Sequence, residues 1–163
     1  MSRRLTSFVL AGLLLSSGAL AQNPSVRRLI DAENRPAAKT PASLGRTVDR
    51  VGRAFEAEDS REIERCLSEP KVYLSLKPGG EGYFGSSQAK FILDRLFNER
   101  RTDSFTYNPR EIEVSDGASA HFRAEWSYVP VEASDVVTEE LRFKLDRVSR
   151  DEWRVSEIRA QSR

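Results

Sequence analysis

From Leu44 the apolar residues fall at Leu44, Val48, Val51 and Phe55, with Arg46, Asp49, Arg50 and Arg53 between them. That is helical spacing and predicts an amphipathic first helix. Asp59 followed by Glu62 resembles a capping box for a second, shorter helix that bears Ile63, Cys66 and Leu67 and ends at Pro70. Val72-Tyr73-Leu74-Ser75-Leu76 alternates as a strand until Pro78-Gly79-Gly80 breaks it. A third helix follows, capped by Ser86 or Ser87, with Ala89, Ile92, Leu93, Leu96 and Phe97 recurring on one face.

Beyond Thr102 the chain reads as strands separated by turns. Phe105 and Tyr107 open the first, which continues past Pro109 to Ile112 and Val114, and Asp116-Gly117 supplies a hairpin turn. In the next strand Ala118, Ala120, Phe122, Ala124, Trp126 and Tyr128 share one face, and Ser119, His121, Arg123, Glu125 and Ser127 the other. Leu141, Phe143 and Leu145 repeat that alternation against Glu140, Arg142, Lys144 and Asp146. Trp153 and Val155 begin a last strand whose phase slips at Glu157, since Ile158 and Ala160 continue on the opposite parity. Helices first and a meander of long strands afterwards predict an α+β domain with one sheet face covered.

The N-terminus has a different pattern. Arg3 and Arg4 precede an apolar run from Phe8 to Leu15, and Ala19-Leu20-Ala21 precedes Gln22. This is the three-part layout of an export signal with cleavage between Ala21 and Gln22. The apolar run, about 10 to 14 residues, is short of the roughly 20 that span a bilayer. The division expected is a signal peptide at 1–21, a flexible Pro- and Arg-containing arm at 22–43 and one α+β domain at 44–163. The mature chain is expected to be periplasmic or extracellular, with no stable membrane anchor after cleavage.

Composition narrows the picture further. The 163 residues carry 26 basic and 25 acidic side chains, and loss of residues 1–21 removes two arginines and no acids. A chain so nearly neutral has no bias toward nucleic acid. Hydrophobic residues are 39% and charged ones 31%, so the core is gathered by patterning rather than abundance. Cys66 is the only cysteine, so no internal disulfide forms, and its place between Ile63 and Leu67 predicts a buried thiol.

The order of two helices, a short strand, a third helix and three or four long antiparallel strands resembles the nuclear transport factor 2-like superfamily, over about residues 44 to 160. More narrowly, Val72-Tyr73-Leu74-Ser75-Leu76, Gly82-Tyr83, Gln88-Ala89, Ile92-Leu93, Leu96-Phe97 and Phe105 resemble domain-of-unknown-function family 4783, best over residues 67 to 105. The resemblance implies a cone of helices packed on a curved antiparallel sheet. It implies no single activity, because the superfamily includes isomerases, dehydratases, transport adaptors and non-catalytic binding members.

Several constellations fail on their chemistry. Gly80-Glu81-Gly82-Tyr83-Phe84-Gly85 satisfies G-x-G-x-x-G, but consecutive antiparallel strands follow it, and Tyr83 and Phe84 would crowd a pyrophosphate. One histidine, one cysteine and scattered acids make no metal set, and no cofactor is expected. His121 shares the charged parity of its strand with Arg123 and Glu125, where a solvated cross-strand bond suffices. No serine has a triad's partners.

The inward set remains. Tyr107, Phe122, Trp126, Tyr128 and Phe143 are the candidate lining of a pocket, and equally suit plain core packing. Glu125, Glu140 and Asp146 fall on the outward parity, and Asp94 lies off its helix's apolar stripe. The reading is therefore a non-catalytic binding or scaffold domain, monomeric or weakly homodimeric, holding a small apolar ligand or a protein partner. The alternative is an isomerase- or hydratase-like enzyme, which requires an acid inside the cone near Tyr128.

Overall fold

The structure, a computed structural model, describes residues 40–77 and 80–161. The expected signal peptide, its cleavage point at Ala21 and Gln22, and the arm before Thr40 lie outside them. Helix α1 spans Ala42–Glu56, so Ala42 and Ser43, expected at the end of the arm, form its first turn. Pro41 explains the earlier start, since a residue without an N–H loses nothing at a helix N-terminus. Leu44, Val48, Val51, Ala54 and Phe55 form its buried stripe.

Asp59 caps α2 (Ser60–Cys66) by accepting from the amides of Arg61 and Glu62. Glu62 does not complete the box but turns outward to Arg50 and Arg65. Strand β1 (Val72–Leu76) pairs antiparallel with β2 (Gly80–Phe84), so the glycine-rich stretch is an edge strand and not a phosphate loop. The left-handed φ of Gly80, +92°, suits the residue that opens it. Helix α3 (Ser86–Glu99) is capped at Gly85 and not at a serine; the Gly85 amide donates to Gln88 Oε1 at 3.2 Å.

Strand β3 (Arg100–Tyr107) leaves α3 directly, and a single 3-10 turn (Pro109–Glu111) separates it from β4 (Glu113–Ser115). Both pair with β5 (Ser119–Pro130), so the strand expected to run through Pro109 is one edge interrupted where proline breaks the ladder. Asp116 and Gly117, at φ +50° and +66°, make the expected hairpin. Strands β6 (Val137–Ser149) and β7 (Glu152–Gln161) complete the order β2-β1-β7-β6-β5-β3. Lys144 faces Glu157 and Leu145 faces Val155, so the phase slip is a bulge at Ser156, one residue before the expected place.

The sheet is mixed and not wholly antiparallel, because β1 runs parallel to β7. Hairpins dictate the direction of strands that they join, whereas β1 and β7 are far apart in the chain and free of that rule. Helices α1 and α3 pack on one face, over β3, β7 and the β1–β2 hairpin. The inward residues of every long strand meet them in one core, which includes Cys66. This is the α+β architecture expected, a curved and open sheet with its concave face covered.

Candidate functional site

Four of the five candidate lining residues lie inside this core. Phe122, Trp126 and Tyr128 come from alternate positions of β5, Phe143 comes from β6, and all are buried. Their rings fill space against one another: Phe122 stacks on Phe143 with centroids 4.5 Å apart, and Trp126 lies 4.5 Å from Tyr128. Phe55 of α1 joins the two pairs, 5.8 Å from both Trp126 and Phe143 and 4.8 Å from Phe105. Tyr107, the fifth, is half-buried at the edge, 5.7 Å from Phe122. Its hydroxyl donates to Asp49 on α1, and burial together with that bond pushes its pKa up to about 12.

The concave face also holds an acid that the alternation of charges concealed. Glu139 stands two residues before Leu141 and opposite Trp126, on the inward parity. It accepts from Tyr128 Oη at 2.8 Å through Oε1 and pairs with Arg100 Nη1 at 3.1 Å through Oε2. Arg100 opens β3, is 11% exposed at its side chain, lies 4.5 Å above the Tyr128 ring and donates to the carbonyl of Lys77. Burial, and then donation to Glu139, pushes Tyr128 up to about 12. The signal for Glu139 was available, since counting back by twos from Leu145, Phe143 and Leu141 lands on it. Arg100 had none, lying in the polar run Arg100-Arg101-Thr102-Asp103-Ser104 at a helix-to-strand junction.

Asp94 has a structural task. It accepts from Ser60 at the start of α2 and pairs with Lys90, and these two partners hold its carboxyl below the ordinary range. Cys66 is buried, and burial raises its thiol pKa.

The opposite face of the sheet is charged and open. Arg123, Arg142 and Arg159 stand abreast on β5, β6 and β7, next to the facing pair Glu125 and Glu140. The 3-10 turn borders two clefts on this face. One, of about 460 Å³, includes Asn108, Arg123, Glu125 and Glu140, and the other, of about 510 Å³, includes Arg110, Glu113, His121 and Arg142. His121 is exposed between Glu113 and Lys144 of the neighbouring strands. Among the described residues no three His, Cys, Asp or Glu side chains converge as metal ligands do, and no helix is long and apolar enough to cross a membrane.

No family model and no curated protein matches the chain. Solved structures do. A DUF4783 family protein from Bacteroides uniformis superposes with a TM-score of 0.58 at 16% identity, over 71% of this chain and 95% of that one. A ketosteroid isomerase-like protein from Erwinia carotovora atroseptica gives 0.61 at 14% identity, over 77% of this chain and 99% of that one. The fold is nuclear transport factor 2-like. A second DUF4783 family protein, from Bacteroides ovatus, gives a TM-score of 0.56 at 17% identity, over 75% of this chain and 94% of that one. Both resemblances drawn from the order of elements and from residues 67 to 105 therefore agree with structural neighbours. At these identities the nuclear transport factor 2-like fold is what is shared, and the chemistry rests on this chain's own residues.

Proposed function

We propose that the chain is an exported, non-catalytic binding domain that meets its partner through its surface rather than inside the cone. The observation that carries this reading is the occupied interior: the aromatic rings pack on one another, and both oxygens of the inward acid are engaged. An acid and a phenol that hold each other present neither a base nor a proton donor to a substrate. What remains open is the outer sheet face, whose polar clefts suit a protein partner or a charged ligand better than a small apolar one. Export is supported by the Arg3-Arg4, apolar, Ala19-Leu20-Ala21 layout.

Glu139 beside Tyr128 keeps the enzymatic alternative alive, because an isomerase-like reaction pairs an acid with a tyrosine donor. For that chemistry a substrate must enter between Glu139 and Tyr128 and separate them. Native mass spectrometry of the mature protein, purified gently from its producing cells, separates the two readings. The expected result is an N-terminus at Gln22 and a mass with no small molecule retained. A bound compound that the pure protein turns over, with turnover lost in Glu139→Gln, would overturn the binding reading.

A further inference from the structure

Strand β2 is a sheet edge, and the helix that follows it shows an apolar flank. Among the described residues no strand pairs with β2 on the side away from β1, and no backbone hydrogen bond from outside the hairpin reaches Gly80–Phe84. Its five residues include no lysine or proline, the usual guards of an edge, and its one charge, Glu81, accepts from Tyr73 of β1. Beside it a groove of about 410 Å³ is lined by Phe84 of β2 and by Ser87, Gln88, Phe91 and Ile92 of α3. Helix α3 buries Ala89, Leu93, Leu96 and Phe97 and turns Asp94 to Ser60 of α2. At about 100° per residue, Gln88 and Ile92 fall on its other flank, with Phe91 beyond them. Phe91 is 71% exposed, the highest value among the large hydrophobic side chains of the described residues. One exposed ring is ordinary, but a ring beside an apolar recess and a free strand edge makes a contiguous patch.

A free edge is complementary to another free edge, and a patch that carries both a protruding ring and a recess fits itself about a two-fold axis. We propose that a second copy of this chain docks here, β2 antiparallel to β2, with Phe91 of each copy over the groove of the other. Centring the pairing on Gly82 sets Gly80 against Phe84 of the copy and Glu81 against Tyr83, so that a ring covers an edge glycine and no like charges meet. Centring it on Glu81 would oppose two carboxylates. The strip is about 20 Å long, the length of β2 or α3, and one strand layer plus one helix layer deep, so it covers on the order of 400 Å² of each copy. A stable complex buries roughly 800 Å² per partner, which makes this a weak, reversible dimer rather than an obligate one. The inference concerns a face other than the outer sheet and does not depend on the binding reading above.

The test is sedimentation equilibrium of the mature chain, residues 22–163, from about 5 μM to about 1 mM, with amide hydrogen exchange read at both ends of that range. The expected result is a weight-average mass that climbs from that of one chain toward that of two, and slower exchange at high concentration for the amides of Gly80–Phe84 that point away from β1. Phe91→Ser changes an exposed side chain and should leave the far-ultraviolet dichroism intact while weakening association by about tenfold or more, as loss of an interface anchor implies. Arg142→Glu, on the outer sheet face, should leave association unchanged. A mass that stays at one chain throughout the range, association that Phe91→Ser leaves intact, or β2 amides indifferent to concentration overturns the proposal. Loss of association in Arg142→Glu alone also overturns it, and assigns the contact to the outer sheet face.

Discussion

Glu139 shows how a single charge can sit on the wrong side of a simple rule. Alternation along β6 assigned charges outward, yet Glu139 continues the column of Leu141, Phe143 and Leu145, and folds inward because Arg100 and Tyr128 satisfy both of its oxygens there. Tyr128→Phe should cost about 1.5 kcal/mol in denaturant unfolding, the size of a lost hydrogen bond to a charged group. Glu139→Gln should cost about 2 kcal/mol, because it leaves the guanidinium of Arg100 without its counter-charge on the covered face. Tyr107 and Tyr128 also set a pH limit. Both phenols are pushed up to about 12, so the folded state keeps protons that the unfolded chain, near 10, gives up. Their contribution is complete below about 10 and lost as the pH climbs from there to about 12. The unfolding midpoint should fall across that window, and the fall should shrink in a Tyr107→Phe, Tyr128→Phe double variant. Cys66 adds a check on the core: a thiol 2% exposed, with its pKa raised by burial, should react with a disulfide reagent only as fast as the domain unfolds.

At the scale of elements, legibility followed the clarity of the period. The helices α1 and α3 and the strands β5 and β6 were readable because their apolar residues recur at one spacing for two turns or more, or over three or more alternate positions, and the short α2 was readable from its Asp59 cap and from Pro70 beyond its end. The β7 bulge was readable from a change of parity between Val155 and Ile158, and missed its residue by one because Ser156 and Glu157 are both polar. Strand β2 was not readable. Gly80-Glu81-Gly82 offers no apolar alternation, and an edge strand needs little of it, since one side of its ladder faces solvent. Nor was the parallel β1–β7 pairing, which is decided by packing between distant segments. The filling of the cone was half-legible: the sequence marks Trp126 and Phe143 as inward, but only the fold shows Phe55 arriving from α1 to close the gap between them. That makes α1 part of the sheet's core rather than a lid over it. Phe55→Ala should therefore cost about 3 to 5 kcal/mol, the range for a fully buried aromatic ring, and should loosen Trp126 and Phe143 together in hydrogen exchange. A loss under about 1 kcal/mol would mean that the interior has slack to close, and so room for a ligand.

For the whole molecule, the contrast between its two sheet faces carries the argument. The concave face packs its rings on one another and gives its inward acid two partners. The convex face leaves Arg123, Arg142 and Arg159 side by side across three strands, although like charges directly opposite each other destabilise a sheet. Arg142 is partly relieved by Glu140 at 3.4 Å, and Arg159 by Glu157, but Arg123 still faces Arg142 across the ladder. A sequence selected for stability alone would replace one of them, so the row is what a surface kept for binding would look like. Arg123→Thr tests this. It removes the repulsion and places a β-branched residue in a strand, so the unfolding free energy should rise by about 0.5 kcal/mol at low salt. The gain should shrink as salt is added, because screening already weakens the repulsion in the parent chain. A variant that is instead less stable at every ionic strength would show that Arg123 is bound into the sheet's own charge network, and the outer face would lose its strongest claim to be the surface that meets a partner.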